Sequence, residues 1–241
     1  MSENLIIASY IVAGLGRHAY LIYDENVDND DDVQTTPEDV LIIRGGNAAN
    51  HGFNPITEPS IIIELQPDVT TSVDWPEAQT ASNTQTLDAS DWAQMWSFAQ
   101  TLGDVNDPAA GLYDTDLFYD LLFKNSNSVI STVLSSVGIN FTDVLPVGTV
   151  ASNYPGYNSL ISGAGGDSLE GFEGDDIFYD VGGGNDTFYG DDDSALVYED
   201  YSDGHDKVLY EDGVSDILVV HNADHNKLIL RNHQVSLTRP A

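Results

Sequence analysis

Apolar runs and polar gaps alternate from the start of the chain. "LIIASYIVA", "HAYLIYD", "EDVLIIRGG" and "PSIIIELQ" are short, rich in Ile, Leu, Val and Tyr, and separated by polar stretches, which predicts four strands within residues 1–66. The intervening "DENVDNDDDVQTTPED" lacks the central Gly and final Glu of a calcium helix-loop-helix loop and reads as a solvated connection. "DASDWAQMWSFAQTL" repeats its apolar residues at helical spacing behind Asp88 and Ser90, either of which caps a helix. In "DLFYDLLFKNSNSVISTVLSSVGIN" a helix is expected to end near Lys124, and Asn125 then caps a second one that closes at Gly138. Val129, Ile130, Val133, Leu134 and Val137 form its buried stripe. Ser126 falls on the inward face at the helix start, whereas Ser128, Ser131 and Ser135 fall on the polar side. A mixed α+β domain over residues 1–150 follows.

The period then changes. In "GAGGDSLEGFEGDDIFYDVGGGNDTFYGD", residues 163–191, one bulky apolar residue recurs every nine or ten positions. The unit is G-x-D-x-U, with U apolar: Gly156, Asn158 and Leu160, then Gly165, Asp167 and Leu169, then Gly174, Asp176 and Phe178, then Gly184, Asp186 and Phe188. A degenerate unit at Asp193, Ala195 and Val197 and a displaced one at Gly204, Asp206 and Val208 follow. Tight turns joined to very short strands require this much glycine, and the apolar residues then stack inward in two columns as the units coil in parallel. Turns two units apart share an edge. Asn158 is thereby expected over Asp176, and Asp167 over Asp186 with Asp206 beyond. Like charges so placed repel unless a hard cation lies between them, and calcium accepts carboxylate and carbonyl oxygens in flexible geometry. Residues 151–212 form this coil. In residues 213–241, "DILVVHNADHNKLILRNHQVSL" reads as two strands around a polar turn, a β cap in which His221, His225 and His233 are solvated.

Charge and cysteine usage sharpen the picture. Seven Lys plus Arg stand against 40 Asp plus Glu, a net −33, which opposes nucleic acid and anionic membrane surfaces and favours cations. At 41% apolar, with eight Phe and twelve Tyr, the chain is too hydrophobic for the disorder such a charge often marks. No cysteine is present, so disulfides, thiol nucleophiles and thiolate metal sites are excluded. The opening residues carry no signal-peptide pattern, and no apolar stretch is long enough for a transmembrane segment.

The repeat resembles the repeats-in-toxin (RTX) family, whose nonapeptide G-G-x-G-x-D-x-U-x builds a calcium-bound parallel β-roll. The resemblance spans residues 156–208, with Ser162 and Val181 at first-glycine positions and Ala195 where a ligand is expected. It implies Ca2+ held by Asn158, Gly165, Asp167, Gly174, Asp176, Gly184, Asp186 and Asp206, and fewer ions than repeats. It also implies a secreted, extracellular bacterial protein, exported unfolded by type I secretion machinery through a C-terminal signal and folded by calcium outside.

The first 150 residues carry a second candidate chemistry. A helix N-terminus stabilises an anion. His18 in "RHAYLIYD" and Ser126 in "KNSNSVI" resemble the strand histidine and helix-initial cysteine of circularly permuted papain-like hydrolases, with serine in place of cysteine. That resemblance implies acyl hydrolysis or transfer on an amide, peptide or ester of an extracellular substrate, with Ser126 as nucleophile, His18 as base and Asn125 beside them. His51, beyond the glycine-rich turn expected in "IIRGGNAANHGFNP" with Arg44 at its mouth, is the alternative base. Two other readings stay open: Asn125, Ser126 and Asn127 as a helix-cap cluster, and the whole chain as a non-enzymatic extracellular binding or matrix protein rigidified by calcium.

Overall fold

The four predicted strands form: β1 (Glu3–Val12), β2 (Gly16–Asp24), β3 (Val40–Asn47) and β4 (Ser60–Gln66) pair antiparallel in succession. The structure is a computed structural model that describes residues 3–12, 16–24, 40–47, 60–66, 81–102, 112–118, 122, 124–180, 185–190, 195–199, 207–210 and 217–220. Two further strands, β5 (Ala81–Leu87) and β6 (Leu112–Phe118), complete a sheet of order β5-β1-β2-β3-β4-β6. Side chains alternate across it. Leu5, Ile7, Ala19, Leu21, Tyr23 and Ile43 enter one core with α1 (Ala89–Thr101) and α2 (Ser126–Ser135), while Ile6, Ala8, Tyr20, Ile22 and Ile42 cluster on the opposite face. Trp92 of α1 stacks on Tyr23 of β2 at 4.6 Å between ring centroids. The stripe Val129, Ile130, Val133 and Leu134 of α2 is fully buried, each side chain contributing about 1.5–3 kcal/mol of apolar burial.

Two expectations are corrected here. The segment read as a helix ending near Lys124 opens, at residues 116–118, with the end of β6, which pairs with β4; there tertiary pairing overrides a weak local preference, and residues 119–121 and 123 lie outside the described residues. The expected glycine-rich turn after β3 does not begin at Gly45 and Gly46, because both pair within β3 against Ile63 and Ile62 of β4. Gly45 instead permits close approach of α2: a Cβ there would lie 2.7 Å from Ser126 Cα and 2.8 Å from Val129 Cγ2.

Beyond α2 the described residues make seven short strands: β7 (Ser159–Ile161), β8 (Ser168–Glu170), β9 (Asp176–Asp180), β10 (Thr187–Gly190), β11 (Ala195–Glu199), β12 (Lys207–Tyr210) and β13 (Ile217–Val220). They alternate between two parallel sheets, β13-β11-β9-β7 and β12-β10-β8. Leu160, Phe178 and Val197 align in one register, and Leu169, Phe188 and Val208 in the other. Leu160, Leu169, Phe178 and Phe188 are buried, and the two phenylalanine rings meet at 5.2 Å. The first strand of the expected β cap is β13, which runs parallel to β11 with Leu218 beside Val197. The remainder of that expected cap, including His221, His225 and His233, lies outside the described residues. The architecture is a mixed α+β one: an antiparallel sheet, two helices and small parallel sheets.

Candidate functional site

Helix α2 is where the two kinds of sheet meet. Asn125 caps it: the residue is extended (φ −153°) and its Oδ1 accepts the Asn127 N–H at 2.8 Å. Its own N–H donates to Ser128 Oγ at 3.2 Å, closing a capping box. Asn127 serves β2, whose pairing with β3 covers only Leu21 to Asp24. The Asn127 Oδ1 accepts the Ala19 N–H and its Nδ2 donates to the Arg17 carbonyl, both at 2.9 Å. One side-chain amide thus does the work of a neighbouring peptide on a strand edge.

Ser126 and His18 do not meet. Ser126 is the first residue of α2, 1% exposed, and its Oγ has no hydrogen-bond partner among the described residues. His18 follows the alternation of β2: Ala19 faces α2, so His18 points through the other face with Tyr20. There its Nδ1 lies 3.4 Å from Tyr10 Oη, with the rings 5.5 Å apart. The sheet therefore separates the expected nucleophile from the expected base, and Asn125 is a helix cap. This corrects the papain-like reading of His18 and Ser126, since a serine needs a base within hydrogen-bond reach. His51 and the acidic stretch at residues 25–39 lie outside the described residues.

The polar side of α2 is not solvated. Ser128, Ser131, Thr132 and Ser135 are all buried, because the parallel coil packs on them. Ser128 Oγ donates to the Gly156 carbonyl at 3.0 Å. Thr132 Oγ1 accepts the Ile161 N–H of β7 at 3.0 Å. Ser135 Oγ donates to the Glu170 carbonyl and accepts the Glu170 N–H, each at 2.9 Å, on β8. Strands β7 and β8 are the edge strands of the two parallel sheets, and among the described residues no earlier strand pairs with them. The hydroxyls of α2 satisfy these open edges, as a terminal cap must in a stacked coil. The sequence had marked these positions as polar, and the three- and four-residue spacing of Ser128, Thr132 and Ser135 was the signal for a shared buried face.

The turns of the coil carry the acids. Strand register places Asn158 beside Asp176, the Ile177 N–H donates to the Asn158 carbonyl at 2.9 Å, and Asn158 Nδ2 donates to the Asp175 carbonyl. On the other edge Asp167 lies beside Asp186: the Asp167 N–H donates to Asp186 Oδ1, and the Thr187 N–H to the Asp167 carbonyl, both at 2.8 Å. Asp176, Asp180 and Asp186 are at most 5% exposed. Ser162 Oγ donates to Asp180 Oδ1 at 3.0 Å, so the serine at a first-glycine position has a partner within the coil. Burial pushes the Asp167 carboxyl above the ordinary carboxylate value, opposed by a smaller effect of the hydrogen bond from the Gly163 N–H. Gly165 and Gly174, nine residues apart, share a φ of +120° that favours glycine, with open space where a Cβ would stand. A Cβ on Gly171 would lie 2.5 Å from Asp176 Oδ2, so that glycine leaves room for the carboxylate. Gly184 and Asp206 lie outside the described residues.

No family model, curated protein or solved structure matches this chain. Among the described residues no three carboxylate or imidazole groups converge to hold a metal unaided. A hard cation here would draw on carboxylates together with amide and backbone oxygens, a mixture that calcium accepts and zinc does not favour. Asp176 and Asp186, buried at the register positions of the repeat, carry carboxylate oxygens of the kind such an ion takes. Among the described residues no helix is long and apolar enough to cross a membrane.

Proposed function

We propose that the chain is a secreted calcium-binding protein of RTX type, a β-roll built on an α+β scaffold and folded outside the cell. The observation that carries this reading is the register of Asp167 and Asp186 across β8 and β10, with Asp186 only 1% exposed. In a chain of net charge −33, burying acids on adjacent turns is costly without a counter-charge. Calcium supplies that charge when bound, and the residues named for it are Asn158, Asp167, Asp176 and Asp186 with the turn glycines Gly165 and Gly174, joined by Gly184 and Asp206 from the repeat alone. An ion that binds only the folded coil stabilises it by RT ln(1 + [L]/Kd), a term that is small at cytoplasmic calcium and large at extracellular calcium. Export unfolded by type I machinery followed by folding outside matches that dependence.

For the remainder of the chain, the non-enzymatic reading is favoured over the hydrolase one. His18 and Ser126 face opposite sides of the sheet, and Ser126 is buried. The antiparallel sheet and α2 act as the platform that starts the coil, and the protein presents a calcium-rigidified surface to an extracellular ligand.

The test is a calcium titration of chelator-treated protein, followed by far-UV circular dichroism and isothermal calorimetry. Cooperative gain of β signal with saturable heat at or below millimolar calcium is expected. Absence of both signals would overturn the reading.

A further inference from the structure

A cleft with a mostly apolar lining opens between the polar side of α2 and the first turns of the coil. Phe141, Tyr157, Leu160 and Phe172 line it, and the rings of Phe141 and Tyr157 stack at 6.2 Å between centroids. The exposed acids Glu170 and Glu173 line it as well. Ser135 holds the Glu170 backbone through two hydrogen bonds of 2.9 Å, which fixes that acid beside the cleft. Phe172 has a φ of +63°, and among the described residues it is the one non-glycine with a positive φ. At the matching position of the units before and after it stand Gly163 and Gly182. A bulky side chain is strained in this left-handed conformation, where glycine is not. What phenylalanine adds in exchange is a ring in the cleft wall.

We propose that this cleft is the docking point for a lysine side chain of a basic protein partner. A metal ion needs a shell of oxygens, whereas an alkylammonium group uses both parts of this lining. Its methylene stem packs on the apolar and aromatic walls, and its charge is attracted by ring faces and by the carboxylates of Glu170 and Glu173. The space is about 20 Å³, room for one group the size of a water or a methylene. Only the end of a slim side chain enters, and the rest of the ligand lies outside, which points to a protein partner and not to an enclosed small molecule. A guanidinium group is too broad for it. No Lys or Arg lines the cleft, and the net charge of −33 steers a basic partner toward it. Asp176 also lines the cleft and is assigned above to calcium; Glu170 and Glu173 lie outside the repeat's ligand positions and are left for the amine. The inference deepens the reading of a surface presented to an extracellular ligand and rests on it.

The test titrates the full chain in calcium with two synthetic peptides, acetyl-Gly-Lys-Gly-amide and its norleucine counterpart, and follows backbone amide shifts by NMR. Saturable shifts at Phe172 and Glu173 are expected with the lysine peptide, weakening as sodium chloride is raised. The norleucine peptide keeps the stem and loses the charge, and should bind about tenfold more weakly. Phe172→Gly and Glu173→Gln are each expected to weaken lysine binding about threefold or more. Glycine takes this φ without strain, so Phe172→Gly should fold as the parent does. Glu173 is exposed, so its variant keeps the test decisive should Phe172→Gly fail to fold. If the two peptides bind alike, or if both variants bind lysine as the parent does, this inference is overturned, while the calcium reading, judged by the peptide-free titration, stands. Putrescine binding as tightly as the lysine peptide would overturn the assignment to a protein partner. Lysine binding that persists in a parent without any calcium response would support the cleft and overturn the coil reading alone.

Discussion

Thr132 Oγ1 accepts the backbone N–H of Ile161 at 3.0 Å, so a helix hydroxyl occupies the place that a preceding strand would take at the start of a parallel sheet. Thr132 also donates to the Ser128 carbonyl at 2.7 Å, which holds its hydroxyl in the orientation that accepts. Thr132→Val keeps the shape and leaves the buried N–H without a partner. The expected loss is about 1–3 kcal/mol in urea unfolding, with Thr132→Ser recovering most of it. Equal stability of the valine variant and the parent would show that α2 does not cap the coil.

Gly45 sets how closely α2 lies on the sheet. Gly45→Ala would bring a methyl group to 2.7 Å from Ser126 Cα, in backbone that has little room to move. The expected cost is about 1–3 kcal/mol, seen as a lowered Tm in calcium and in chelator alike. Gly165→Ala tests a different property, because its site is open but its φ is +120°. Strain there is local to a turn, so that variant should lose calcium response more than it loses the scaffold's fold.

Asp167 predicts a pH dependence with a definite sign. Burial raises its folded-state pKa above the ordinary carboxylate value. The stability this group contributes to the metal-free chain is complete below its unfolded value and is lost as pH rises through its folded value. In chelator, Asp167→Asn should therefore be more stable than the parent at neutral pH and the two should converge in acid. With calcium the order should reverse, because a carboxylate facing Asp186 is replaced by a neutral amide. Urea midpoints at acidic and neutral pH, with and without calcium, check all four combinations.

Calcium should be felt in the antiparallel core as well as in the coil. Trp92 is buried against Tyr23 in the same cluster as Val129, Val133 and Ile161, and Ile161 belongs to β7. Tryptophan fluorescence and far-UV circular dichroism are expected to change at one calcium concentration. Separate midpoints would show that the scaffold folds without the coil.

Ser126 should be chemically inert. Its hydroxyl is buried, and the sheet lies between it and the His18 side chain. A serine-directed acylating probe is expected to leave it unlabelled, and Ser126→Ala should be neutral or slightly stabilising. Labelling that Ser126→Ala abolishes would restore the hydrolase reading.

Local pattern was enough for strands β1 to β4, for α1, for the Asn125 cap and for the nine-residue coil, because each is written in alternation, helical spacing or turn glycines that a single stretch displays. The facing pairs Asn158–Asp176 and Asp167–Asp186 were legible for the same reason, since repeat length alone sets which turns stack. Partners distant in the chain were not legible. The strand identity of β6 depended on β4 needing a neighbour, and the parallel course of β13 on the open side of β11. The polar face of α2 read as solvent-facing because its hydroxyls carry no mark of what covers them, and only packing showed that coil strands β7 and β8 end on it. Side-chain parity on β2 likewise separates His18 from Ser126 even though both lie where the motif wanted them. Sequence by itself determined the kinds of element and the repeat that stacks them; tertiary structure decided which faces meet, because burial is a property of pairs of surfaces and one stretch of chain carries only half of each pair.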